Sequence, residues 1–514
     1  MGAFAKGKAE ERGIIGDRAN CSSRKNRTLN SPAAPIPAPA TTARIIARSD
    51  HTISRSGIAP NALRVLYRLR EGGFQAFLVG GCVRDLLLGI EPKDFDVATD
   101  ALPEEVRKLF RNCRLIGRRF RLAHVYFGRD IIEVATFRAA TAPSPGQEAL
   151  PDSDAEEDEE LQAAAADAEI AEPVDAEVFG DAETERLFDK SGRIIYDNVY
   201  GTVDEDVWRR DFTANALYYN IADFSLWDYV GGAEDIAARR LKLIGDPDTR
   251  YREDPVRMLR AARFEAKLGF DLDPATAEPL QRLRGRLADV PPARLFDETL
   301  KLFLNGCGVR SLEVLRRRGL LAALLPSVND YLESSRGAAA EKLLVGGLAN
   351  TDLRVRDGKA VTPSFLFALL LYGPIARLIE AAPPELWHDI ATILDACDRA
   401  VREAQKHVLI PRRFSLGLRE MFALQPRLEH PRGRRALRVL EHPRFRAAYD
   451  LLLLRAQAGL AVQERAEWWT RLQAAAPAER EELLAGLEGQ AGPRPAGARR
   501  GARSRRRPRR AGPA

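Results

Sequence analysis

Between Leu78 and Asp96 the chain places a Gly80-Gly81 pair, then Arg84, then the carboxylates Asp94 and Asp96 separated by one residue. Side chains alternate along a strand, so these two aspartates are expected on one face with Phe95 buried behind them. Two anionic oxygens on one face suit a hard divalent cation, because Mg²⁺ takes one or two carboxylates and completes its shell with substrate phosphates. A Gly-Gly turn opening a helix offers free backbone N–H groups and the positive end of the helix dipole, both favourable to phosphate. Arg84, one turn into that helix, adds a positive charge. Alone, a Gly-Gly pair is usually just a turn, and a D-x-D pair is more often a solvated strand end. The order and spacing carry the reading: a triphosphate-plus-metal site.

Three more groups carry chemistry. In Ile131-Ile132-Glu133-Val134-Ala135 an apolar strand holds one acid. A buried Glu is costly unless paired or bound to a cation. Beside Asp96 it would be a third metal ligand; otherwise it pairs with Arg138 or Arg119. In Arg209-Arg210-Asp211-Phe212-Thr213-Ala214-Asn215 two guanidinium groups can hold phosphate oxygens, and Asp211 can serve the metal or the nucleotide sugar. As local structure, the same segment is a helix N-terminus with an acidic cap. In Glu253-Asp254-Pro255-Val256-Arg257-Met258-Leu259-Arg260 a helix would set Asp254 and Arg257 on one face as i,i+3 neighbours. A carboxylate accepting from an exocyclic amino group and a guanidinium donating to a ring nitrogen read the edge of adenine, and of cytosine as well. Arg260 falls on the adjoining face, in reach of phosphates. Simple ion pairing is the plainer alternative.

These groups need a scaffold. Periodicity predicts a helix over 59–71, a strand at 76–79, the Gly-Gly turn with a helix over 82–88, a strand at 94–99 and a helix over 103–110. Further strands are expected at 115–116, 124–127 and 131–137, giving a mixed sheet flanked by helices. From Asp211 onward the pattern turns strongly helical, with segments at 254–268, 292–304, 311–324, 363–370, 386–403 and 444–472.

At 514 residues the chain is too long for one compact core. No apolar run approaches a membrane span, and the first fifty residues show no secretory apolar region. Five scattered cysteines without a C-x-x-C exclude a zinc framework and suggest reduced thiols, so a cytoplasmic protein is expected. The net charge of +6 is segregated: residues 139–185 hold sixteen Asp or Glu and no Lys or Arg, as in a disordered acidic insertion. The last 24 residues hold nine Arg and no acid, a tail suited to polyanions without sequence preference. His388-Asp389 could mark a phosphohydrolase, but that chemistry needs more His ligands nearby, and the chain has six His in all.

LVGGCVRDLLLG with DFD, RRDFTANA, DYVGG at 228–232 and EDPVRMLRAARF, in this order, resemble the motifs of class II nucleotidyltransferases, the polymerase-beta-like family of bacterial poly(A) polymerases and tRNA CCA-adding enzymes. The resemblance covers about residues 50–480. The segment Leu115–Val125 (LIGRRFRLAHV), EHPRFRAAYDLLLLRA at 441–456 and the Arg-rich tail resemble the poly(A) polymerase branch. The long leader and the acidic insertion depart from the pattern, and the insertion must loop outward from the catalytic strands.

The resemblance implies an α+β fold. Residues 1–52 are a disordered leader and 53–245 a polymerase-beta-like catalytic head with the insertion at 139–190. A helical neck with the base-recognition motif follows at 246–325, an all-helical RNA-binding body at 326–485 and a disordered tail at 486–514. The implied reaction is template-independent transfer of AMP from ATP to an RNA 3′-hydroxyl with release of pyrophosphate, promoting RNA decay alongside degradation machinery. Two Mg²⁺ ions would be held by Asp94 and Asp96. Asp211 completes the acidic set by resemblance, whereas local chemistry nominates Glu133 equally, and the choice stays open. Gly80, Gly81, Arg84 and Arg210 would hold phosphates, Asp254 and Arg257 would select the base, and Arg260 would assist. CCA addition to tRNA is the sister alternative. A non-catalytic RNA-binding protein on a dead transferase domain is the other, and the intact Asp94, Asp96, Arg84 and Asp254 speak against it.

Overall fold

The computed structural model describes residues 42–117, 121–139, 186–188, 194–197 and 200–490. The head is built on strands β1 (Arg44–Ile46), β2 (Ala76–Val79), β3 (Asp96–Thr99), β4 (Cys113–Ile116), β5 (Leu122–Phe127) and β6 (Asp130–Thr136). A separate antiparallel pair, β7 (Arg186–Phe188) and β8 (Ile194–Asp197), follows, and β9 (Leu217–Asn220) and β10 (Leu226–Asp228) return to the main sheet. The eight strands lie in the order β1-β10-β9-β2-β3-β6-β5-β4. All neighbours are antiparallel except β3 and β6, which run parallel. That single parallel pairing puts Glu133 directly beside Asp96.

Most expected elements form within a residue or two of their predicted ends, and several expectations are corrected. First, β1 lies inside the span assigned to the disordered leader. The strand carrying the aspartates starts at Asp96, so Asp94 and the buried Phe95 lie in the segment leading into it. Glu133 is not enclosed. Along β6 burial alternates, with Ile132, Val134 and Thr136 inward and Glu133 about half-exposed, so only part of the cost of a buried acid arises. The stretch after Asp211 is not helical at once: Leu217–Tyr219 forms a fully buried central strand, favoured by its aromatic side chains. Finally, β7 begins at Arg186, inside the span assigned to the acidic insertion; residues 140–185 lie outside the described residues.

One face of the sheet is covered by the Pro60–Glu71 helix, whose Ala62, Val65, Leu66 and Leu69 are all buried. Each of the larger three contributes roughly 1.5–3 kcal/mol on burial. The opposite face carries a smaller cluster of Phe77, Val79, Ala98, Phe137, Val207, Tyr218 and Tyr229. From Pro247 onward the chain is almost wholly helical. The expected 311–324 helix divides at Gly319, whose φ of +68° lies in the left-handed region open to glycine, giving Gly308–Arg317 and Leu320–Leu324. The expected 444–472 helix divides into Phe445–Gln457 and Gln463–Ala474. The body's two longest helices, Gly337–Arg356 and Arg412–Glu429, were not predicted. Their buried rows are interrupted by small and polar residues such as Gly347, Thr351 and Gln425, which weakens the apolar stripe that marks a helix in sequence. Trp469 is fully buried and donates from Nε1 to the Leu428 carbonyl at 2.8 Å, tying the last helices together.

Candidate active site

A cleft of about 620 Å³ opens between the β2–β3 end of the sheet and the Val256–Leu268 helix. Gly80, Gly81, Arg84, Asp94, Asp96, Arg210, Asp211, Asp254, Arg257 and Arg260 all line it. Of these, residues as much as 180 positions apart in sequence, Gly80 and Arg260, thus share one cavity. Glu133 lies just outside its lining, next to Asp96 across the β3–β6 ladder.

The carboxylates crowd one another. Burial pushes the Asp96 carboxyl up to about 6, repulsion from Glu133 and Asp94 adds to the rise, and Arg210 partly offsets it. Glu133 is likewise raised, by burial and then by Asp94, and its neighbour is His124, at 3.8 Å from Nε2 to Oε1. A cation between them would relieve this repulsion, so the donor set fits a divalent ion. The three oxygens do not form a closed cage, however. Among the described residues the sole His, Cys, Asp or Glu triad with ligand atoms all within 4.8 Å of one another lies elsewhere, in the body. Two aspartates on an open cleft match Mg²⁺, which keeps sites for water and phosphate.

Asp211 is placed differently. Its Oδ2 accepts from Arg260 Nε at 2.7 Å and Nη2 at 2.6 Å, and its Oδ1 accepts from the Phe212 N–H and from Asn215 Nδ2. Burial works to raise this carboxyl, but the Arg260 guanidinium outweighs it and holds the group down at about 2. Asp211 is therefore charged, with both carboxylate oxygens engaged by Arg260 and by its own turn.

The residues around the Gly80-Gly81 turn are also held in a network. Gly80 has φ +75°, and a Cβ there would sit 3.5 Å from Asp96 Oδ2 and 3.8 Å from Arg210 Nη1, so the bare glycine lies between carboxylate and guanidinium. The helix that follows is Gly81–Leu87. Arg84 is buried; it donates to Asp85 Oδ1 from Nε and Nη2 and to Asn215 Oδ1 from Nη1. Arg210 donates to Asp206 Oδ2 and to the Tyr218 hydroxyl, with its guanidinium 4.9 Å from the Tyr218 ring centre. DYVGG underlies this arrangement. Buried Asp228 accepts four successive backbone N–H groups, from Val230 to Ala233. A Cβ on Gly232 would come within 2.3 Å of the Thr213 carbonyl, so the glycine lets this loop pack against the turn that carries Asn215.

Asp254 and Arg257 face the same cleft without pairing as i,i+3 helix neighbours. Asp254 precedes the helix, capping Pro247–Glu253 instead. Arg294 grips it in a two-pronged contact, Nη1 to Oδ1 at 2.9 Å and Nη2 to Oδ2 at 2.8 Å. Arg257 donates to Glu253 Oε2 and to the Arg250 carbonyl. Sequence reasoning missed Arg294, and it missed Arg263, Phe264 and Lys267, which also line the cleft. The signal for two of them was present, since Arg257, Arg260, Phe264 and Lys267 follow the 3-4-3 spacing of one helix face. The Phe264 ring gathers Arg84, Arg260 and Arg263 at 4.6–5.6 Å from its centre. His388-Asp389 lies far along the chain, and the Asp389 carboxylate caps its own helix by accepting from the Thr392 N–H and hydroxyl.

A mixed sheet with paired aspartates at the mouth of β3, facing a basic helix across a cleft, defines a nucleotidyltransferase head. Solved structures share this fold: a tRNA-processing enzyme complex (TM-score 0.50, 21% identity, 83% of this chain and 97% of that one) and a tRNA-processing enzyme with CTP (TM-score 0.50, 20% identity, 83% and 97%). Family models described as the Poly A polymerase head domain, the probable RNA and SrmB-binding site of polymerase A and the polymerase A arginine-rich C-terminus match residues 76–242, 269–332 and 387–511. Poly(A) polymerase I of Salmonella typhi is 44% identical over 474 residues, spanning 91% of this chain and 93% of the relative. That of Haemophilus influenzae is 41% identical, spanning 86% and 90%. A CCA-adding enzyme of Bacillus pumilus matches at 32% over 54% of this chain and 57% of its own length. The chain belongs to the poly(A) polymerase I family of nucleotidyltransferases.

Proposed function

We propose that this chain transfers AMP from ATP to RNA 3′-hydroxyls without a template, releasing pyrophosphate and marking the RNA for decay in the cytoplasm. The observation that carries the reading is the cleft itself, in which Asp94 and Asp96 face the Arg257–Lys267 helix side across a space of about 620 Å³. Asp94 and Asp96 would hold Mg²⁺, which when bound lowers the pKa of an attacking hydroxyl and neutralises charge on a leaving pyrophosphate. Glu133 supports that pair from β6. Between the two candidates for third carboxylate, the geometry favours Glu133, because Asp211 is committed to Arg260. Asp211 and Arg260 then act as one unit, a fixed guanidinium aimed into the nucleotide space.

Arg84 and Arg210 set the electrostatic floor for phosphates around the Gly80-Gly81 turn, each oriented by buried partners. Asp254 and Arg257 read the base edge, and Arg294 fixes the rotamer of Asp254 for that task. RNA is held mainly through its backbone by the helical body and the Arg-rich segment, and residues 269–332 are the surface on which decay partners would act. Among the described residues no single helix is long and apolar enough to cross a membrane.

Asp94→Ala tests the metal assignment. AMP incorporation is expected to fall by at least a thousandfold while RNA binding in a filter assay is unchanged. Incorporation within tenfold of the parent would remove Asp94 from the reaction.

A further inference from the structure

Two of the chain's six histidines converge far from the nucleotide cleft. His388 sits in the turn before the Ile390–Ala404 helix, and His430 caps the C-terminus of the Arg412–Glu429 helix. Their rings meet edge to face with centres 5.2 Å apart. Glu429 lies between them, with Oε2 at 3.8 Å from His388 Nδ1, and one ligand atom from each of the three falls within 4.8 Å of the others. Both histidines are exposed, so the site is open to solvent.

We propose that His388, Glu429 and His430 bind a divalent ion of the zinc class, with water in the fourth position. Two imidazoles and one carboxylate are a characteristic three-ligand zinc set. At Zn–N and Zn–O distances near 2.0–2.1 Å, tetrahedral ligands stand roughly 3.3 Å apart. The observed separations therefore need only small side-chain rotations to close. Two further features fit a cation. The end of an α-helix carries partial negative charge, and Glu429 and His430 stand at one. The other Glu429 oxygen, Oε1, accepts from the partly buried Arg455, which is itself fixed by Gln425 and Tyr372. This is the outer-shell support that orients a ligating carboxylate. The ion would pin the 384–389 turn to the Arg412–Glu429 helix, stiffening the body surface. It would not compete with the nucleotide cleft, where oxygen ligands select Mg²⁺.

The test uses the full-length chain without a histidine tag, in excess Mg²⁺ to occupy the cleft. Equilibrium dialysis with Zn²⁺ is expected to give one ion per chain, and Co²⁺ the visible absorption of a four-coordinate nitrogen–oxygen site. His388→Ala and His430→Ala should each weaken Zn²⁺ at least tenfold, abolish the cobalt band and remove the rise in Tm that Zn²⁺ gives the parent. Both substituted side chains are exposed, so folding is preserved, and AMP incorporation serves as the control because neither residue lines the cleft. Unchanged zinc stoichiometry and affinity in both variants would overturn the proposal. So would a parent chain that binds no zinc at micromolar concentration.

Discussion

Asp96 shows how one residue carries the cost and the purpose of the site. In the metal-free chain its carboxyl titrates at about 6, against an ordinary value near 3.8, because of burial and then of Glu133 and Asp94. The raised value means that the folded state holds the proton more tightly than the unfolded state does. This group's contribution to stability is therefore fully present below about pH 4 and is lost as pH rises through 6. Thermal melts of the metal-free chain should show this loss between pH 4 and 6, and Mg²⁺ should recover it at pH 7.5 but not at pH 5. A Mg²⁺ effect of equal size at both pH values would contradict the carboxylate cluster. Arg294 is the second test at this scale. Arg294→Ala removes the two-pronged grip on Asp254, and loss of a charge-assisted contact of this kind is worth about tenfold in binding. The KM for ATP should rise by about that factor with discrimination against CTP relaxed, as steady-state incorporation with each nucleotide would reveal. An unchanged ATP-to-CTP ratio would make Arg294 a structural residue only.

At the scale of elements, the turn carrying Thr213 to Asn215 is held by the DYVGG loop. Gly232→Ala places a methyl group 2.3 Å from the Thr213 carbonyl, and overpacking of this sort costs about 1–3 kcal/mol. A chemical denaturation midpoint should fall accordingly, with a loss of activity through displaced Asn215 and Arg84; a midpoint equal to the parent's would show that the loop yields freely. Much of the scaffold was readable in advance, because helices such as Pro103–Leu109 announce themselves by Pro and acids at the start and β2 by an unbroken apolar run. What escaped was set by tertiary partners. Asp94 falls before its strand because the β2–β3 ladder ends at the pairing of Val79 with Asp96. The partnerships of Asp211 with Arg260 and of Asp254 with Arg294 join residues 49 and 40 positions apart, and no local spacing encodes them. Glu133 was readable as a neighbour of Asp96, whereas its half-exposure followed from the alternation along β6 that its apolar neighbours concealed.

Over the whole molecule, a hydrophobic core runs from the head sheet into the helical body, so the cleft lies on continuous packing rather than at a loose hinge. The CCA-adding enzyme of Bacillus pumilus aligns with about half of the chain, whereas the poly(A) polymerases align with about nine-tenths. The choice of nucleotide is the claim on which everything else rests, because the carboxylates proposed to hold the metal would serve either reaction. The direct measurement is extension of an unstructured RNA primer, and of a tRNA ending before CCA, with ATP or CTP alone. Long AMP tails from ATP on the primer, with CTP incorporation at least a hundredfold slower on both RNAs, is the expected result; efficient addition of two cytidylates to the tRNA would contradict it.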